Sequence, residues 1–478
     1  MFWEICKQDW KVIKRGKLAG SAMILLMVFI CIAGWIGNHY ADTRTVLIEK
    51  IKTNELFALE AAGNLVDSLQ INNLPFKGNS HRDPTTANGA ANGMGARYLV
   101  LPPSPMMIIS IGQSDLYANY YKFGLNKKQA LYHEAEILNP VVVFNGYFDL
   151  SFVIIYILPL IIIACSYNII SSEKEQGTFR LLFNSSISPK KIFLIKYAFR
   201  LILLYLFTIG LIFLILVFSK VNISDAAYET GILFFEIFWY MAFWMVISLI
   251  INLLNFRSGT NAAILSGIWL LLLTTFPAIL NIIARKKYPM PSRLELIAET
   301  REASDSARNN MNLMLSGFME DHPELVPEGS KINPNDFAVV SLRSGLAVEE
   351  AIRPLEQEFS IKKAEQEALL KQFGILSPGI RLQIILNNIA GTGEERYNAF
   401  RASMEEEHDK FRAYFAKKIL AGEPMQKEDY QQIPQPVFIE NEKNQINQNL
   451  AFPVILTIVC FAFALGLFRK LTEIAAEA

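Results

Sequence analysis

Six apolar runs, each close to the roughly 20 residues that carry a helix across a bilayer, dominate this chain: residues 19–38, 150–170, 195–218, 231–253, 261–284 and 449–468. A lipid interior gives backbone N–H and C=O groups no outside partner, so such runs fold as helices. The predicted fold class is an α-helical integral membrane protein with six transmembrane helices and a mixed, mainly helical (α+β) extracytoplasmic domain built from two insertions. The composition agrees, at 52% hydrophobic and 19% charged over 478 residues, which is too apolar for a water-soluble chain of this length. Zero formal net charge gives no reason to expect a nucleic-acid partner. Cys6, Cys31, Cys165 and Cys460 have neither disulfide nor zinc spacing. The first run is long for a signal-peptide core and no small-x-small site follows it, so it reads as a retained anchor.

Lysine and arginine set the direction. Lys7, Lys11, Lys14, Arg15 and Lys17 precede the first span. Lys174, Arg180, Lys190, Lys191 and Lys196 lie between the second and third, Arg257 between the fourth and fifth, and Arg469 and Lys470 after the sixth. All fall on one side, which is predicted to be cytoplasmic together with both termini. Arg285, Lys286 and Lys287 dissent, but they open a long loop, where the rule is weak.

The predicted organisation is an interfacial helix over 1–18, spans at the positions above, an extracytoplasmic block over 39–149, a cytoplasmic elbow over 171–194, a second extracytoplasmic block over 285–448 and a cytoplasmic tail over 469–478. In the interfacial helix Phe2, Ile5, Cys6, Trp10 and Ile13 share one face and lysines another. Residues 43–70 read as a helix continuing the first span outward. Residues 78–95, rich in Asn, Gly, Thr and Ser, read as a mobile loop. Tyr98-Leu-Val-Leu101 and Met106 to Ile111 read as strands around a proline turn. Helices are predicted over 293–320, 346–373, 379–390 and 394–420, with Pro434 and Pro436 breaking the chain before the last span.

The elbow is the most informative motif. Glu173-Lys-Glu-Gln-Gly-Thr178 is followed by Leu181 and Leu182, then by Ser188-Pro-Lys-Lys191. Gly177 permits a sharp turn, Thr178 is placed to cap a short helix from Phe179 to Phe183, and Pro189 suits the first turn of the next helix. This order of residues resembles the coupling region of ABC-2 type transporter permeases. Leu101-Pro-Pro-Ser-Pro105, Gly112-Gln-Ser-Asp115, Asn139-Pro140, Gly146-Tyr-Phe-Asp149, Ser377-Pro378 and Ala390-Gly-Thr-Gly393 extend the likeness to the subgroup with a large extracytoplasmic insert, DUF3526. The chain departs from the usual elbow at Asn184-Ser-Ser186.

That resemblance implies a permease subunit in a bacterial inner membrane, paired with a second permease, identical or paralogous, and driven by separate ATPase subunits that carry ATP and Mg. It implies Glu173, Glu175, Gly177, Thr178 and Arg180 as ATPase-coupling residues, with Leu181 and Leu182 as apolar anchors. It also implies export or extraction toward the outside. The chain has no Gly-x-x-x-x-Gly-Lys-Ser/Thr of its own, so no cofactor is expected in it. The outer blocks would form a vestibule or dock a periplasmic partner. A different class of function fits the same architecture: transmission of force to an external protein without translocation.

Glu236 lies about one and a half turns inside the fourth span, where an acid is costly unless it faces protein or water. It is the candidate for a translocation path; the plainer reading is an interfacial acid bonded to Tyr240. Pro159, Pro277 and Pro453 lie within spans and favour kinks. Asn252 and Asn281 read as ordinary residues near span ends. His81-Arg-Asp83 with Asn88 has kinase-loop spacing but none of the other kinase motifs. His133-Glu134 lacks the second histidine, since Ile137 stands in its place. No catalytic constellation and no metal site is expected.

Overall fold

The first apolar run does not end its helix. In the computed structural model one helix, α2 (Lys17–Ile71), runs unbroken for 55 residues, about 80 Å at 1.5 Å per residue. Its first half buries Ala22, Leu26, Ile30 and Ala33 in one apolar core, and its second half buries Leu59, Ala62 and Val66 in another. It is therefore a rod shared by the two halves of the molecule. The structure describes residues 2–112, 114–115, 117–125, 148–179, 182, 187–289, 336–374, 376–440 and 450–468, with short pieces at 298–299, 301–302 and 305–306.

Among the described residues five helices are long and apolar enough to cross a membrane: α2, α4 (Leu150–Glu175), α5 (Pro189–Phe218), α6 (Ala227–Leu253) and α7 (Ser258–Lys287). A shorter apolar helix, α11 (Ala451–Leu467), packs along α6. The first core joins these helices through side chains such as Leu158, Leu204, Leu233 and Leu265. Ahead of α2, the amphipathic helix α1 (Phe2–Arg15) buries Ile5, Cys6 and Asp9 and leaves Phe2, Trp3 and Trp10 exposed. The expected single apolar face is thus divided, one part against protein and the other free to meet a bilayer.

The second core gathers α3 (Ala87–Asn92), a two-stranded antiparallel sheet and α10 (Glu394–Ala421) around the upper part of α2. The strands are β1 (Tyr98–Val100) and β2 (Tyr120–Lys122), with Leu99 opposite Tyr121. Two expectations are corrected here. The 78–95 segment contains α3, capped by the Thr86 hydroxyl accepting from Gly89 N at 3.1 Å, because its small Ala and Gly residues pack closely in the core. Residues 106–111 form no strand: Met107–Ile109 is a 3₁₀ turn, and Met106, Ile108 and Ile109 enter the membrane-side core. Gly37 of α2 makes room for it, since a Cβ there would lie 2.3 Å from the Ile108 carbonyl oxygen.

The remaining long helices are α8 (Phe337–Gly374), α9 (Pro378–Ile389) and α10, close to the predicted positions. The helix expected over 293–320 lies almost wholly outside the described residues. Unlike α10, α9 buries Leu382, Ile385, Leu386 and Ile389 in the membrane-side core.

Candidate functional site

Two joints connect the helices, one at each end of the bundle. At the elbow the end of α4 turns at Gly177, whose φ of +72° suits glycine. Gly177 N donates to Lys174 O and Thr178 N to Glu173 O, each at 2.9 Å, the paired bonds that close a helix C-terminus at a left-handed glycine. The Thr178 hydroxyl donates to Glu173 Oε2 at 2.5 Å, with the Glu173 carbonyl at 3.1 Å; the helix it is expected to cap, Phe179 to Phe183, lies mostly outside the described residues.

Glu173 reaches α5 through Lys196 Nζ at 2.6 Å. Glu175 reaches α7, accepting from Ser258 N and Ser258 Oγ at 2.8 Å each, where a carboxylate also favours the positive end of the helix dipole. Behind them Asn252 is buried, contrary to its expected place as an ordinary residue at a span end. It donates to Ser166 O at 3.2 Å and Ser248 O at 2.9 Å and accepts from Ile170 N. Asn261 donates to Tyr167 O at 3.2 Å. The elbow is thereby bonded to α5 and α7 directly and to α6 through Asn252. Leu182 packs on the core; Arg180 and Leu181 lie outside the described residues.

One further contact stands beside the elbow. Arg200 of α5 donates to both oxygens of Asp9 in α1, at 2.8 and 2.7 Å, and to the Cys165 carbonyl at 2.5 Å. Asp9 is only 1% exposed. Neither residue stood out in the sequence. An arginine five residues into the third apolar run was the available signal, and its partner lies 191 positions away.

At the other end, α9 is wedged between spans. Pro159 and Pro277 each follow a wide π turn, Val153–Ile157 and Leu271–Thr275. Proline supplies no N–H and crowds the carbonyl four residues back, so backbone oxygens are released there. The Tyr240 hydroxyl donates to Ile155 O at 2.7 Å, Trp269 Nε1 to Tyr156 O at 3.0 Å and the Ser377 hydroxyl to Leu272 O at 2.9 Å. Ser377 is also the N-cap of α9, and Gly379 packs so tightly that a Cβ would lie 2.5 Å from Leu273 Cδ2. The π turns are thus bonded points of contact between helices.

The other end of α9 collects the outer motifs. Asp149 accepts from Ile111 N at 2.9 Å and Phe152 N at 2.8 Å. Ser110 donates to Asn387 Oδ1 at 2.7 Å. Gly112 and Gly391, both at positive φ, lie against Asn387 and Ser104 respectively. Arg396 donates to Gly391 O and Pro102 O. Asn139-Pro140, Gly146 and His133 lie outside the described residues.

Glu236, 1% exposed, is enclosed beside a cavity of ≈ 20 Å³ that Arg381, Phe243 and Pro453 also line, room for about one water. Glu236 is thus enclosed by protein, and the Tyr240 hydroxyl donates to the Ile155 carbonyl. Among the described residues no group of three or more His, Cys, Asp or Glu could hold a metal ion.

Residues 293–438 match the family model of a domain of unknown function, DUF3526. No curated protein and no solved structure matches the chain. The matched segment includes α8, α9 and α10, so it contributes to both cores.

Proposed function

We propose that this chain is the permease subunit of an ATP-driven ABC-2 type transporter in a bacterial inner membrane. It crosses six times, with α11 as the sixth span, keeps both termini in the cytoplasm and carries its large domain outside. Separate ATPase chains, with their own ATP and Mg, push on the elbow at residues 171–194, and a second permease completes the pathway. The cargo moves outward by export or extraction.

The observation that carries this reading is that neighbouring elbow carboxylates hold different helices: Glu173 holds Lys196 of α5 and Glu175 holds Ser258 of α7. A displacement of the elbow therefore moves α4, α5 and α7 together. The test is the double variant Glu175→Lys with Gly177→Pro, which should strip the ATPase from the purified complex. Ser258→Ala loosens the same internal bond without altering the elbow surface, so it should keep the ATPase bound and lower substrate-coupled hydrolysis. Retained binding and normal hydrolysis in the double variant sink the proposal.

A second reading has its own support. The enclosure of Glu236 and the continuity of α2 from one core to the other favour transmission of force to a periplasmic partner without translocation. A cavity between facing permeases that reaches Glu236 would exclude it; a lipid-filled seam would favour it.

A further inference from the structure

Between α9, the end of α8, the start of α10 and the two π turns lies a cavity of ≈ 320 Å³, at the lower end of the range for small-ligand sites. Its walls change character along α9. Tyr156, Leu273 and Pro277 of the spans, with Ile380 and Ile384 of α9, line the part within the bundle. Asn387, Asn388 and Thr392, with Glu367, Glu394 and Glu395, line the outer part. Residues 380, 384, 387 and 388 share one helix face, so a single face runs from apolar to polar. The direction follows from the helix ends: Ser377 is bonded to the fifth span, and Gly391 lies under Ser104 of the outer region.

The polar end is acidic but only partly neutralised. Lys363 Nζ lies 2.8 Å from Glu394 and 3.5 Å from Glu367, and Lys371 lies 3.3 Å from Glu395. Among the described residues three carboxylates thus meet two lysines, which leaves the cluster with an excess of negative charge. An ammonium group carries three donors and a positive charge, so it can supply the missing counter-charge.

We propose that this cavity binds a single-chain amphiphile with an ammonium head, its tail against Leu273, Pro277 and Ile384 and its head at Glu367 and Glu394. At ≈ 320 Å³ the cavity suits one alkyl chain. If the transport reading holds, this names a substrate class; the binding itself needs no ATPase, so either idea can fail alone.

The test uses the full chain in phosphatidylcholine nanodiscs with no ATPase present. The probe is dodecylamine carrying a diazirine at the chain end, compared with dodecanoate carrying the same group. The amine should label peptides containing Leu273, Pro277, Ile380 or Ile384, and the carboxylate should label them at least about tenfold less, as expected for loss of a charged hydrogen bond. Glu367→Gln with Glu394→Gln should reduce amine labelling about tenfold, and Ile384→Trp should block both probes. Equal labelling by the two probes, or labelling of residues 19–38 as strong as that of the cavity, would mean ordinary partition into the bilayer and overturn the proposal. Unchanged labelling in the double glutamine variant would overturn it as well, whether or not the tryptophan variant folds.

Discussion

Removing Asp9 tests whether α1 is fastened to the bundle or merely rests on lipid. Arg200 gives Asp9 two charged hydrogen bonds at 2.7 and 2.8 Å, and the pair is buried. In Asp9→Ala the guanidinium keeps the Cys165 carbonyl and loses its counter-charge. Breaking a buried pair from one side costs about 3–5 kcal/mol, or about two to three and a half decades in the docking equilibrium of α1. Hydrogen exchange of residues 2–15, read by mass spectrometry in nanodiscs, should accelerate on that scale. Replacing both partners by apolar residues, Asp9→Leu with Arg200→Met, removes the uncompensated charge and should recover most of the loss. The double-mutant cycle then gives a large coupling energy. Acceleration below about tenfold, or additive effects of the two single changes, would refute the buried-pair argument.

Gly37→Ala should destabilise the fold by about 1–3 kcal/mol, because the new Cβ meets the Ile108 carbonyl oxygen at 2.3 Å; Gly20→Ala, with nothing within 4 Å, is the control, and the melting temperature reads both. Tyr240→Phe leaves the Ile155 carbonyl without its side-chain donor and should cost about 1–3 kcal/mol, seen as faster exchange around residues 153–157. Burial and the hydrogen bond with Glu394, partly opposed by Lys363, raise Glu367 from the ordinary 4.5 to about 7. A raised carboxyl pKa favours folding below the ordinary value, and that contribution is lost as pH climbs through the folded one. The joint between α8 and α10 should therefore weaken between about pH 4.5 and about pH 7, and Glu367→Gln should flatten that part of the melting profile.

Hydrophobic run length made the five helices long enough to cross a membrane legible, and the helical continuation of the first run was legible from Val46, Ile51, Leu56, Leu59 and Leu65. Helices α8, α9 and α10 followed from their periodicity. The 106–111 segment misled because a short apolar stretch does not distinguish a strand from a buried turn. The 78–95 segment misled because Gly and Ala serve close packing as well as turns. At the elbow the sequence placed Gly177 at the turn, yet the partners of Glu173 and Glu175 are 23 and 83 positions away, beyond any local pattern.

By itself, then, the sequence determined a helical chain with runs long and apolar enough to cross a membrane and a charged elbow between two of them, because apolar length and local turn chemistry are properties of neighbouring residues. Tertiary structure alone decided what those features do to one another. It joined Asp9 to Arg200, gave the oxygens released near Pro159 and Pro277 to Tyr240, Trp269 and Ser377, and set α9 among the spans. Buried polar groups must find partners wherever the fold brings them, and that requirement acts through space rather than along the chain.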